Sequence, residues 1–299
     1  MSSIKDYLHL NFLVVVWSFT AILGLLISIP AVEVVFYRTL FAAIALAFII
    51  KFSGGKFAIG RVDILKMLLT GGVIGIHWVL FFASARVSNA SISLIGMATV
   101  ALWTSLLEPL VNRRKVRLFE VVLGVVIIVG LYIIYQVNLS YKLGLLMALG
   151  SAMMAAVFSV INGRLAQKHH HLTITMYEMI GACLMVVIFI PVYTEYFSES
   201  GAFEWQLSYA DFMYLLILAL VCTVYAFSIS VELLKRISVF ASNLFIHMEP
   251  VYGIILAVLI FGETEKMDTG FYIGGTIIVL AVFSYPVVKY YQKRKSVIL

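Results

Sequence analysis

Stretches of about 20 mostly apolar residues, the length a helix needs to cross a bilayer, follow one another almost without interruption along this chain. Lipid offers no water to bond backbone N–H and C=O groups, so such stretches must satisfy them internally, as helices. The joints between them are short, charged or marked by Gly and Pro, and leave no length for a soluble domain. Apolar residues fill 63% of the 299 positions and charged residues 12%, far from the roughly half and a quarter of soluble domains. The reading is an all-α integral membrane protein.

Ten transmembrane helices are expected, at 8–28, 32–51, 63–84, 88–111, 117–137, 142–164, 172–194, 210–234, 238–261 and 268–290. No small-residue cleavage site follows the first run, which reads as a retained helix. With the amino terminus in the cytoplasm, only Arg86, Lys142 and Lys266 of the 21 basic residues fall on outside joints, and Arg38 falls within a span. Basic residues concentrate on cytoplasmic joints, so both termini are expected there. The net charge of +6 is therefore a topology signal and calls for no nucleic-acid partner. The aromatic residues of the acidic joint from Glu195 to Asp211 read as interfacial anchors. Cys183 and Cys222 lie inside apolar runs, which suits small buried residues and indicates neither a disulfide scaffold nor a zinc site.

The chain also repeats itself. A slide of 150 positions superposes Arg86-Val87-Ser88 on Arg236-Ile237-Ser238, Gly124 on Gly274 and Tyr135 on Tyr285. A slide of 140 pairs Tyr37-Arg38 with Tyr177-Glu178, and one of 139 pairs Phe19 with Phe158 and Gly24 with Gly163. Two halves, 1–140 and 141–299, thus carry five helices each. Five is odd, so the second half must start from the opposite side of the membrane, giving two inverted five-helix repeats. Inverted copies can exchange conformations around a site near the midplane, which is alternating access.

Three stretches carry a resemblance to a known family: Phe36-Tyr37-Arg38, Thr223 to Ser242, and Glu249-Pro250 followed by Gly262-Glu263. In these the chain resembles the EamA-type carriers of the drug/metabolite transporter (DMT) superfamily, over nearly its whole length. The first half departs from the last pattern, with Thr99-Val100 and Asn112-Arg113 at the aligned positions, and Glu108-Pro109 is out of register. The resemblance implies a secondary active transporter in the bacterial inner (plasma) membrane, moving an amino acid or related metabolite, often by export. Drugs and nucleotide sugars are alternatives within the same fold. It also implies a cavity among helices 1 to 4 and 6 to 9, with helices 5 and 10 peripheral.

Ionisable groups inside a bilayer are costly unless paired or hydrated, so each is a candidate for function. Arg38, His77, Glu178, His247 and Glu249 are such groups. Arg38 and Glu178, equivalent under the repeat, either pair with each other or hold a solute, Arg38 its carboxylate or phosphate and Glu178 its amine. Glu249 and His247 precede Pro250, whose ring kinks a helix and frees carbonyls. Glu249 is the candidate proton carrier, with local capping of backbone as the alternative. His77 and Phe81 share one helical face next to Trp78, and Trp17, Trp103, Tyr225 and Asn243 extend the candidate solute-binding surface. Each aromatic has ordinary helix packing as its other reading. Gly71 with Gly75, and Gly270 with Gly274, show the spacing of close helix contacts. His169-His170-His171 reads as a solvated turn rather than a metal site.

No HExxH, GxSxG or paired-Asp motif suggests an enzyme, and no cofactor is implied. A membrane receptor or scaffold without transport is the rival class, and it would tolerate neutral replacement of Arg38 and Glu249. The expected partners are a small-molecule solute, the lipid bilayer and protons as the candidate coupling ion. Oligomeric state is not legible in the sequence.

Overall fold

The computed structural model describes residues 4–54, 59–112, 118–137, 141–237, 239–246, 248–265 and 267–298, and every regular element among them is helical. In chain order the first half contributes α1 (Ile4–Ser18), α2 (Thr20–Leu26), α3 (Ala31–Phe52), α4 (Arg61–Val87), α5 (Ala90–Met97), α6 (Val100–Asn112) and α7 (Leu118–Val137). The second contributes α8 (Lys142–Leu165), α9 (His171–Tyr196), α10 (Tyr209–Ile217), α11 (Ala226–Leu233), α12 (Val239–Ile246), α13 (Met248–Phe261) and α14 (Thr269–Ile298). A π-helical segment, Leu218–Tyr225, joins α10 to α11, and a 3-10 turn, Gly262–Glu265, follows α13.

Seven helical stretches among the described residues are long and apolar enough to cross a bilayer: α1 with α2, α3, α4, α5 with most of α6, α8, α9, and α10 through α11. The apolar parts of α7 and α14, Val122–Ile134 and Thr269–Ala281, are shorter. The expected ninth span corresponds to α12 and α13, on either side of position 247, which lies outside the described residues.

Apolar side chains cover the outside as well as the inside: Ile188 on α9 is 77% exposed and Leu259 on α13 75%. In lipid an outward Leu costs nothing, so association rests on close packing of small residues rather than on apolar burial. α4 and α9 cross at such a seam. A Cβ at Gly71 would lie 2.0 Å from the Glu178 carbonyl oxygen, and one at Gly181 would lie 2.1 Å from that of Leu68. α7 and α14 meet the same way, with a Cβ at Gly274 only 2.5 Å from the Gly130 carbonyl.

Breaks in the helices have local causes. Ser18 returns its hydroxyl to the Val14 carbonyl at 2.9 Å and also reaches the Glu249 carbonyl at 3.3 Å. Such back-bonding bends helices, and α1 gives way to α2 immediately after it.

The two ends of the bundle are stitched differently. At the end opposite the amino terminus, Asp211 accepts hydrogen bonds from Ser28 N and Oγ, both at 2.7 Å, and from Ser208 Oγ at 2.6 Å. Glu265 accepts from Ala90 N, Ser91 N and Ser91 Oγ at 2.9, 3.0 and 2.7 Å, while Arg86 donates to the Gly24 and Ile27 carbonyls. The 197–208 loop closes over this end. Its Phe203 is buried edge-on against Phe36, so it packs inward instead of anchoring at the interface, whereas Tyr196 and Tyr209 stand exposed. At the amino-terminal end, Asp63 meets His169 at 3.1 Å, Glu232 meets His171 and Lys235, and Arg236 meets Asp6.

Candidate functional site

A cavity of about 110 Å³ lies among α1 to α6, α8 and α11 to α13. Among the described residues neither α7 nor α14 lines it, and the lining runs from Arg38 and Trp78 through Asn162 and Ser230 to Leu234, toward the amino-terminal end.

Arg38, projecting from α3, is only 2% exposed. Its Nε donates to Thr223 Oγ1 at 2.8 Å, and its guanidinium carbon lies 3.8 Å from the centroid of the Trp78 ring. Stacking on an aromatic face and one neutral hydrogen bond hold this cation in the apolar interior. The Thr223 hydroxyl is aimed by the π-helical segment: it donates to the Leu218 carbonyl, five residues back, at 2.9 Å, which leaves its lone pair for Arg38. The indole of Trp17 donates to the Cys222 carbonyl in the same segment. Single π turns recur at functional sites. Among the described residues the two terminal nitrogens of Arg38 have no hydrogen-bond partner, and Arg38 lines the cavity. Glu249, in the first turn of α13, lies on the cavity wall as its electrostatic counterpart, without a direct ion pair.

His77 has a fixed tautomer. Its Nδ1 lies 3.0 Å from the Ser151 carbonyl oxygen, which can only accept, so Nδ1 carries the proton when the ring is neutral. Ser151 Oγ, 2.7 Å from Nδ1, in turn donates to the His77 carbonyl at 2.9 Å. Nε2 is left as an acceptor on a residue that lines the cavity. Around it runs an aromatic belt: His77 to Phe158 at 5.4 Å, Phe158 to Phe227 at 6.0 Å and Phe227 to Trp78 at 6.1 Å between ring centroids.

Of the residues singled out in the sequence, Arg38, His77, Trp78, Phe81, Glu249 and Trp17 converge on this cavity. Glu178 does not. It is fully buried behind the wall, at the α4 crossing, and makes no ion pair with Arg38, whose guanidinium is turned to Thr223 and Trp78 instead. Tyr225 points away, with its hydroxyl 2.9 Å from His9 Nε2. Trp103 packs with Ala152 and Ala155. His247 lies outside the described residues, as does the side chain of Asn243. Thr20, Phe158, Asn162, Phe227 and Ser242 line the cavity without having been singled out. Phe158 had a signal in its match to Phe19 under the repeat, and Phe227 and Ser242 lie in the stretch that carries the family resemblance.

A bundle of apolar helices enclosing a cavity that mixes an arginine, a carboxylate and aromatic rings defines a membrane transporter. The EamA-like transporter family matches the sequence over residues 7–136 and again over 142–285, and the chain belongs to that family, a member of the drug/metabolite transporter superfamily. This is a family of transporters, not of enzymes. None of the curated proteins matches the chain. Among the solved structures 28 chains match. One, a crystal structure, superposes with a TM-score of 0.66 over 94% of this chain and 97% of its own at 14% identity, a likeness of fold alone.

Proposed function

We propose that the chain is a secondary active carrier that exports a small organic solute bearing a carboxylate, an amino acid or related metabolite, across a bacterial inner membrane. The observation that carries this reading is Arg38: a buried guanidinium on the cavity lining, held only through Nε among the described residues, with Glu249 on the same lining. A planar fork of donors suits a carboxylate. Glu249 suits the solute's amine and the aromatic belt its apolar body. His77 Nε2 adds an acceptor.

In this reading the chain crosses the membrane ten times, as inverted repeats at 1–140 and 141–299 with both termini cytoplasmic, and works by alternating access. Two contacts support it. Asp63 and Asp211 each sit in the first turn of a helix, α4 and α10, and each ties the loop after a helix of the other half, at opposite ends of the bundle. Arg86 and Arg236, matched by the slide of 150, differ: Arg86 caps the carbonyls at the end of α2, while Arg236 binds Asp6. Buried carboxylates fasten one end and part-exposed ion pairs the other, an asymmetry that suits one half-cycle of such a carrier.

The test is the thermal stability of the detergent-purified chain against amino acids, sugars, nucleotide sugars and cationic drugs, repeated with Arg38→Gln. A ligand present at a hundred times its Kd stabilises by about 2.7 kcal/mol. Stabilisation by carboxylate-bearing solutes that disappears in Arg38→Gln is expected. Stabilisation that survives the substitution would overturn the role of Arg38, and silence across every class would overturn the solute class.

A further inference from the structure

Behind the cavity wall, four side-chain oxygens of three residues are buried without a hydrogen-bond partner: both carboxyl oxygens of Glu178, Oδ1 of Asn162 and Oγ1 of Thr175. Buried polar groups are nearly always paired, and a cluster of exceptions asks for an explanation. The three residues belong together. Thr175 and Glu178 are three apart on α9 and share a face, and both are fully buried. The carboxamide of Asn162, from α8, stands beside the Glu178 carboxyl without completing a hydrogen bond, and Asn162 itself lines the cavity.

We propose that Glu178 is the proton-carrying site of this transporter, with Asn162 as its link to the cavity and Thr175 as its support. The proposal rests on the carrier reading given above.

Protonation satisfies three of the four, both Glu178 oxygens and Asn162 Oδ1. With the proton on, the carboxylic acid O–H donates to Asn162 Oδ1 and Asn162 Nδ2 donates back to the other carboxyl oxygen. With the proton off, the carboxylate accepts from Asn162 Nδ2 and from the Thr175 hydroxyl. In release the O–H bond breaks, its electron pair stays on the carboxyl oxygen, and the proton passes to water in the cavity once the Asn162 side chain turns aside. A metal ion fits less well. α8 and α9 are helically bonded on both sides of these residues, and Asn162's own carbonyl is taken by Ala166 N, so no backbone oxygen is free to fill a coordination shell.

Among the described residues no other charge is turned to Glu178 from the elements packed against it. α4 presents the Gly71 backbone, and its His77 is turned to Ser151. Arg38 of α3 is held by Thr223 and Trp78, and Glu232 of α11 by His171 and Lys235. On α9 itself, Cys183 lies beside the Thr39 hydroxyl of α3. A carboxylate there would be desolvated and uncompensated by any charge. Glu249, by contrast, has Arg38 across the same cavity.

Infrared difference spectra of the reconstituted full chain between acid and alkaline pH test the assignment. We expect a carboxylic-acid C=O band that titrates, is lost in Glu178→Gln and persists in Glu249→Gln; a band that survives Glu178→Gln would overturn the proposal, as would none in the unmodified chain. Should Glu178→Gln not fold, Asn162→Ala must shift the same band, since it removes the partner of the acid. Loss of the band on replacing choline with sodium at fixed pH would reassign the site to a metal cation. A persistent band in Glu178→Gln beside an intact Arg38-dependent thermal shift removes the proton assignment alone, whereas a silent thermal panel removes the carrier reading on which coupling depends.

Discussion

Two adjacent glycines on α4 offer a test of how the bundle is held together. Replacing Gly71 with alanine puts a Cβ 2.0 Å from the backbone carbonyl oxygen of Glu178, which no rotamer change can relieve. To restore the 3.4 Å of an ordinary contact, α4 and α9 must separate locally by about 1.4 Å, an overpacking strain of about 1–3 kcal/mol. At Gly72, one residue on, the new Cβ meets only Met185 Cβ at 3.9 Å. There alanine improves helix propensity and stabilises by about 0.5–1 kcal/mol. The two single-methyl substitutions are thus expected to move stability in opposite directions. Thermal unfolding of the purified protein followed by tryptophan fluorescence reads both. Equal effects, or a harmless Gly71→Ala, would refute the close α4–α9 seam, and with it the position of the cavity wall that α4 carries.

The remaining expectations concern the arginine and the stitched end. Thr223→Val leaves the Arg38 Nε donor without its acceptor and should lower stability by about 1–3 kcal/mol, while Thr223→Ser restores it; thermal unfolding distinguishes the two. Asp211→Asn weakens the charge-assisted bonds to Ser28, worth about 1.5–3 kcal/mol together with the closure they maintain. A cysteine placed at Thr20, in a chain with Cys183 and Cys222 replaced by alanine, should then react about tenfold faster with a membrane-impermeant maleimide applied from that side.

The membrane class and the family were legible because they depend on length and composition: a run of apolar residues long enough to span lipid admits few other readings. The convergence of Arg38, His77 and Glu249 could be sought in the sequence because a charged or polar group in such a run stands out. Asn162 and Thr175 did not stand out, since one small polar residue in a helix is ordinary until its neighbours are known. The pairing of Arg38 with Glu178, suggested by their equivalence under the repeat, fails in this conformation for a reason no spacing could reveal. The helix facing Arg38 brings Thr223, whereas the helix facing Glu178 brings Gly71. Tyr225 illustrates a subtler limit, because it ends the π-helical segment, where counting by 3.6 residues per turn assigns faces wrongly.

That segment makes the identity of the cavity wall a matter of chain length as well as of side chains. A π turn holds one residue more than the α turn it replaces, so everything after Tyr225 is rotated by about 100° from where an unbroken α-helix would carry it. Phe227, Ser230, Val231 and Leu234 reach the cavity through that offset. Deleting a single residue between 218 and 225 would leave all four in the sequence and turn them away from the solute, whereas replacing any one of them would change only its own contact. Among related chains, a one-residue insertion or deletion here would therefore be a compact route to a new specificity.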